Sequence, residues 1–413
     1  MPPAALAPRF ALMANERKVK VLVSGAGAAG QCVGYWLARH GFETTVIEQA
    51  PAPRIGGFAT DLRGPAAEVA DRMGIGDGCR EARVRLREIA FLGPHGNELF
   101  KTDGNWNAGG DDIEILRDDL TSLLHSARES VDGLNYRFGD SIASIVQDDD
   151  GVDVTFVNSV PARFDFVIGA DGLHSNVRSL VFGPEHQYTK PIGHYVGIFT
   201  IPNLFEMDSQ WFICTLPGKL VSVMQYGLDK HTRAMFIYSS PPLNFDKRDR
   251  EAQKAIIKEA MKGDIEYWAV EPLLGALDSA DDLYFDEVAQ IHMPTWHNGR
   301  VCLLGDAGFA PTLLAGQGTS VAVVGAYVLA GELKRAQGDP SVAFPKYESA
   351  MRDYAELNQK LVFGAEEFRI PTSWEDIERR DAEVLKIMET GDDTRTGGAL
   401  LRTAADGIKL QDY

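Results

Sequence analysis

Apolar positions alternate with polar ones and then run together over Lys18–Ser24, as they do in a buried parallel strand. Gly25–Gly30 makes a glycine-rich turn, Gln31–His40 has helical spacing stopped by Gly41, and Thr44–Ile47 repeats the strand pattern. Together they predict a βαβ unit of the usual length, about 30 residues. Arg117–Ser130 reads as another helix. Leu134–Phe138, Ile142–Gln147 and Val152–Val157 predict an antiparallel meander with an Asp-Gly turn before Val152, and Phe164–Ile168 is a short apolar strand ending in Gly169-Ala170-Asp171-Gly172. Between 190 and 295 the pattern changes. Val196–Ile201, Trp211–Leu216, Leu220–Tyr226 and Arg233–Tyr238 are long strands on short turns, followed by a charged helix at Lys247–Met261. That is the pattern of an antiparallel sheet with a covering helix. Val301–Leu304 then runs into Gly305-Asp306, and an apolar helix begins near Gly316. From 345 the chain is helical and charged, and 390–413 is expected to be a loosely held tail.

The chain therefore belongs to the α/β class, with a Rossmann-like domain, a second α+β domain on an antiparallel sheet, and C-terminal helices. Its 413 residues are enough for two domains. The charge balance of 41 − 59 = −18 argues against nucleic acid or an anionic membrane as partner. Cys32, Cys79, Cys214 and Cys302 are scattered without a CxxC pair, so a cytoplasmic, reducing environment is expected, and no histidine spacing suggests a metal. Residues 1–17 lack the charged start and long apolar core of a secretory signal, and Met13 is an alternative start. The most apolar helix, Ser320–Leu333, is 14 residues long, and spanning a bilayer takes about 20. It reads as a core helix.

Three motifs carry chemistry. Gly25-Ala26-Gly27-Ala28-Ala29-Gly30 fits G-x-G-x-x-G between strand and helix. Gly25 serves the tight turn, Gly27 lets a pyrophosphate approach the backbone, and Gly30 lets the helix pack on the strand. Glu48 ends the next strand, where an acid holds a ribose 2′-hydroxyl and favours FAD or NAD over NADP. The second motif is Asp171-Gly172, followed by His174 and Arg178; alone it is equally a turn with a helix cap. The third, residues 301–320, places Asp306 at a strand end, where it can accept hydrogen bonds from sugar-alcohol hydroxyls. The N–H groups that follow favour a ligand carrying negative charge. Motifs one and three together point to a flavin.

In order and spacing these segments resemble the single-component FAD-dependent aromatic monooxygenases of the para-hydroxybenzoate hydroxylase-like fold, a group that includes the tetracycline-inactivating and antibiotic-pathway enzymes. The resemblance covers residues 18–345. It implies a discontinuous FAD-binding domain (18–78, 109–185 and 297–345), a substrate-binding domain (79–108 and 186–296) and a C-terminal helical segment and tail (346–413). It implies that Asp171 lies near the pyrophosphate, that Asp306 meets the ribityl chain, and that Gly316, Gly318 and Thr319 meet the pyrimidine edge of the isoalloxazine. Arg117, in Leu116-Arg117-Asp118-Asp119-Leu120, matches the arginine that contacts FAD, while Arg54 and Asp61 lie in the segment beside the flavin. Phe309 departs from the pattern, since many members carry His there.

The resemblance further implies that NADPH or NADH reduces FAD as a transient partner, that O₂ adds at C4a, and that the hydroperoxide hydroxylates or epoxidises an aromatic or polycyclic small molecule. The helix beginning near Gly316 would stabilise the anionic edge of the reduced ring. Phe199, Trp211, Phe212, Met224, Tyr226 and Phe236 are candidates to line an apolar substrate pocket that excludes water. No catalytic base stands out among His194, His231, His292 and His297. A reductase or halogenase of the same fold is an alternative, although the Trp-x-Trp-x-Ile-Pro segment of halogenases is absent. A redox-silent FAD- or ligand-binding protein is another. The chain is expected to act as a monomer or homodimer.

Overall fold

The computed structural model describes residues 17–53, 58–104, 112–227, 231–362, 369–390 and 397–413. At its centre is a six-stranded sheet in the order His297–Asn298, Val301–Leu303, Phe166–Gly169, Lys20–Ser24, Glu43–Glu48, Leu134–Phe138. All neighbours are parallel except the short edge pair at 297–303. The strands at 20–24 and 166–169 are almost wholly buried, which suits their continuous apolar runs. The first helix, Ala28–Arg39, packs on the long helix Gly318–Arg335. Ser320–Leu333 is buried on every side, which explains why its sequence shows no polar stripe.

Two expectations need correction. Leu134–Phe138 is not part of a meander: it pairs parallel with Glu43–Glu48 at the sheet edge, while Ile142–Gln147 pairs antiparallel with Val152–Phe156, which pairs in turn with Ala162–Phe164. Nor is the described part of the C-terminal tail, residues 397–413, loosely held. Gln317 donates from Nε2 to Leu401 O (3.3 Å), and Asn358 from Nδ2 to Ala404 O (3.3 Å). The Tyr413 hydroxyl donates to Glu332 Oε1 (3.0 Å), and the Arg335 guanidinium lies 4.2 Å from the Tyr413 ring centre. The ring packs so closely on Gly331 that a methyl group there would stand 2.2 Å from it. Tyr413→Ala should cost about 2 kcal/mol of stability in a denaturant titration, the scale of burying one large side chain. A truly loose tail would lose nothing.

The second sheet has seven strands in the order Tyr284–Ile291, Thr189–Ile201, Thr232–Ser239, Lys219–Gln225, Gln210–Leu216, Glu88–Leu92, Glu98–Asp103. It is antiparallel except where 210–214 meets 88–92. Its two faces differ. One, with Phe199, Cys214, Val221 and Phe236, is packed beneath the helices Arg250–Met261 and Val270–Asp278. The other, with Ile198, Ile213, Leu220 and Ile237, packs on Leu314 of the 301–320 segment and on Val384 of the helix Trp374–Thr390. A two-stranded ribbon, Ala59–Leu62 with Ile113–Leu116, lies at the edge of this second face, and the Tyr226 hydroxyl ties it down by accepting from Ala59 N (3.2 Å). No described helix is long and apolar enough to cross a membrane.

Candidate functional site

One cleft of about 1090 Å³ runs from the first glycine turn, along the 306–319 segment, to the second face of the seven-stranded sheet. The glycine turn divides its labour. A methyl group on Gly25 would stand 2.4 Å from Ala170 O, and one on Gly30 1.8 Å from Gly25 O, so both are packed backbone against backbone. At Gly27 nothing lies within 4 Å, and Gly27, Ala28 and Ala29 line the cleft. The first intrahelical bond is Gln31 N to Gly27 O, leaving the preceding first-turn N–H groups without helical acceptors. Open space at Gly27 beside those N–H groups suits an anionic ligand.

Glu48 and Asp171 are not among the residues lining the cleft and order the turns beside it. Glu48 accepts from Ala26 N and Ala50 N, each 3.0 Å, through separate oxygens. Asp171 accepts from the Ser24 hydroxyl (3.3 Å), the Ser175 hydroxyl (2.5 Å) and Val177 N (3.0 Å), joining two strand ends and a helix start. The adjacent Gly172 has φ +83°, a left-handed turn that suits glycine, and reaches the cleft.

Asp306 follows Gly305, whose φ of +64° turns the strand sharply into the cleft. Its carboxylate opens into the cleft and makes no hydrogen bond to the described residues. The recess around it pushes its carboxyl up from the usual carboxylate range, with Arg117 opposing. A methyl group on Gly318 would stand 3.8 Å from Asp306 Oδ1, so the acid sits beside the start of the helix Gly318–Arg335. Gly316, Gly318 and Thr319 line the same wall, where first-turn N–H groups project. Thr312, also in the wall, is held at φ +81°, a conformation unfavourable for a β-branched residue. Arg117 and Asp61 line the opposite ends of the paired ribbon strands. Arg54 falls outside the described residues.

Alternation along the strands sorts the aromatic candidates. Trp211, Met224 and Tyr226 line the cleft; Phe199, Phe212 and Phe236 are turned to the helix-covered face, with Phe199 and Phe236 in its core and Phe212 against Trp268. In their place the cleft receives Ile198, Ile213, Met235 and Ile237. Trp211 donates from Nε1 to the Ser222 hydroxyl. None of His194, His231, His292 or His297 lines it.

Several polar residues of the cleft lie outside the motifs. Arg63 pairs with Asp61 (3.2 Å) and Asp112 (3.5 Å), and burial pushes the Asp61 carboxyl up against the pull of Arg63. Burial, then the nearby Asp61, raises Glu114 to about 7. An acid inside the apolar Ile-Glu-Ile-Leu strand was the sequence signal for it. Asp376, Arg379 and Glu383 of the helix Trp374–Thr390 close the far side. Among the described residues no group of His, Cys, Asp or Glu is arranged to hold a metal ion.

Beside the cleft, His174 joins the two halves of the molecule. Its ring nitrogens meet Glu185 (2.9 Å) and Asp286 (2.9 Å), with Lys247 2.9 Å from the ring and Arg178 3.2 Å from Glu185. Burial lowers the pKa of the imidazole, but its hydrogen bonds to Asp286 and Glu185 outweigh that and hold it up at about 9. The raised value means that its contribution to stability is complete below the unfolded pKa, about 6.5, and is lost as pH rises through about 9. The thermal midpoint of His174→Gln should therefore fall less than that of the wild type between pH 7 and 9.5, by about 2 °C. Parallel melting curves would remove the imidazolium from this account.

Residues 18–343 match the family described as "FAD binding domain". A Mycobacterium tuberculosis (strain ATCC 25618 / H37Rv) protein, the uncharacterized protein Rv1260, is 44% identical over 346 residues, covering 83% of this chain and 92% of that one. A flavin-dependent monooxygenase of Legionella longbeachae serogroup 1 (strain NSW150) is 35% identical, covering 96% of this chain and 99% of that one. The crystal structure of tetracycline destructase Tet(55) superimposes with a TM-score of 0.82 at 35% identity, covering 96% of this chain and 99% of that one.

Proposed function

Because this chain belongs to the FAD binding domain family and is an FAD-dependent monooxygenase, we propose that it takes electrons from NADPH or NADH and places one atom of O₂ on an aromatic or polycyclic small molecule in the cleft. One observation carries the reading. The wall formed by Gly27–Ala29, Arg117, Asp306 and Gly316–Thr319 continues directly into the apolar sheet face of Ile198, Trp211, Ile213, Met224 and Met235. A cofactor lying along the first would hold its ring against a substrate lying on the second. When bound, FAD supplies the electron transfer and the activation of oxygen.

The chain's own residues do the rest. Gly27 would admit the pyrophosphate, Asp306 would accept from a ribityl hydroxyl, and the N–H groups from Gly316 to Thr319 would stabilise negative charge on the reduced ring. The aliphatic and thioether side chains of the sheet exclude water from the reacting centre. The likeness to a tetracycline destructase supports a flat, multi-ring substrate.

The purified protein should be yellow, and a panel of 4-hydroxybenzoate, 4-nitrophenol, 1-naphthol and tetracycline should contain at least one compound that stimulates NADPH or NADH oxidation with O₂ uptake and gains an oxygen atom by mass spectrometry. Protein that stays colourless with added FAD refutes the cofactor assignment. A yellow protein whose NAD(P)H oxidation no compound stimulates counts against oxygenation.

A further inference from the structure

Glu114 occupies the cleft wall where the ribbon meets the sheet face. Its partner across the ribbon is Asp61, and on its own strand side Asp112 lies two residues before it. From the sheet come Tyr226, whose hydroxyl is fixed by Ala59 N at 3.2 Å, and Arg233, which pairs with Asp282 at 3.5 Å. Val84 donates from N to Glu114 O (2.7 Å), and the neighbouring Arg83 also reaches the cleft. Arg63 lies near enough to favour the ionised form of Glu114, but its ion pairs are with Asp61 and Asp112. Among the described residues the Glu114 side chain makes no hydrogen bond or ion pair. It is an acid kept in a recess, without a partner of its own, facing the space between the flavin-side wall and the apolar sheet.

We propose that Glu114 is the general base that takes the proton from an acidic O–H of the substrate, and hence that the substrate is a phenol or an enol. The step rests on the oxygenase reading above. The substrate O–H bond breaks, its electron pair stays on oxygen, and the proton passes to the Glu114 carboxylate. One negative charge disappears from the protein as one appears on the substrate, so the cleft gains no net charge. Arg83, Arg63 and Arg233 also line the cleft, so positive charge stands along the wall near which the new anion would form. The oxyanion pushes electron density into its ring, which makes the adjacent carbon a better acceptor of an electrophilic oxygen. A carboxyl that titrates near neutrality is matched to this exchange. The same site would gain little from a substrate with no ionisable O–H.

The test uses FAD-loaded wild type, Glu114→Gln and Glu114→Asp with the panel named above. In the wild type kcat/KM for a neutral phenol should rise with pH through about 7, as the carboxyl loses its proton. Glu114→Gln should lose that rise and fall by about 100-fold at pH 7, the lower range for a positioned base. Its dissociation constants for FAD and for the phenol should stay within about threefold of wild type. Glu114→Asp should recover part of the rate and keep a pH rise. Independently of turnover, after a pH jump from 5 to 8 bound 4-nitrophenol should reach the phenolate absorbance faster in wild type, whose Glu114 carboxylate takes the proton, than in Glu114→Gln. The proposal is overturned by an unchanged pH profile in Glu114→Gln, by a preferred substrate lacking an acidic O–H, or by loss of FAD from both variants, which would make Glu114 a structural residue. If wild type oxidises no compound of the panel, the oxygenase reading fails first and takes this step with it.

Discussion

Gly27→Val should give a protein that folds as the wild type does but emerges colourless, whereas Gly30→Ala, the smaller chemical change, should fail to fold stably. The contrast follows from what each new carbon would meet. A Cβ on Gly27 would meet no atom within 4 Å, so the valine side chain enters open cleft and costs the apoprotein only the poorer helix N-cap, about 1 kcal/mol. It then fills the space a pyrophosphate would take and holds it off the helix-start N–H groups. Losing one charge-assisted contact of about 3 kcal/mol weakens binding by about 10²-fold. At Gly30 the new carbon would lie 1.8 Å from Gly25 O. Gly25 O is backbone at the end of a central strand and the new carbon is fixed to the helix backbone, so relief requires moving the first helix, at a cost of about 3 kcal/mol or more. Absorbance of protein-bound flavin after desalting, and thermal melting without added FAD, separate the two effects. A Gly27→Val protein as yellow as wild type would mean that the pyrophosphate does not pass there.

The sequence was most legible where backbone geometry dictates residue type. The turn at Gly25–Gly30 needs glycines because carbonyl oxygens occupy the places where side chains would start. Gly305, at φ +64°, needs glycine for the same class of reason. Those constraints are local, so the strand–turn–helix reading around 20–48 and 301–335 agrees with the structure. Pairing partners were less legible. Leu134–Phe138 has a strand pattern whether it pairs with Ile142–Gln147 or crosses to Glu43–Glu48, and only the completed sheet decides. The aromatic residues show a further limit. Trp211 and Phe212 are equally apolar, and period-two alternation says that they point apart without saying which one faces the cleft. The helices over Phe212 settle it. Arg63 and Glu114 were invisible as a group because their proximity comes from pairing of strands some 50 residues apart, Asp61 opposite Glu114. The hold on Tyr413 depends on Gly331 and Arg335, which are remote in sequence.

Asp306→Ala tests the other end of the cofactor and should move two quantities in opposite directions. The carboxylate faces the cleft with no hydrogen-bond donor among the described residues, and its recess pushes its carboxyl up. An acid whose pKa is raised in the folded state adds stability at pH values below its unfolded pKa and loses that contribution as pH rises through the folded one. At pH 8 the charged group is therefore a burden on the apoprotein, and removing it should raise the apoprotein melting temperature slightly, with little change near pH 4. With FAD present the same carboxylate would gain hydroxyl donors from a ribityl chain seated as proposed. Hydrogen bonds to a charged group are worth about 1.5–3 kcal/mol each, so the variant should bind FAD about 10²-fold more weakly. The stabilisation of wild type by saturating FAD should exceed that of the variant. Melting curves of apoprotein and FAD-loaded protein at pH 8 measure both terms on one sample. If Asp306→Ala lowers the melting temperature of the apoprotein, the residue is serving as a helix-start acid for the short helix Asp306–Phe309 rather than waiting for a ligand. If it binds FAD as tightly as wild type, the cofactor does not reach this end of the cleft.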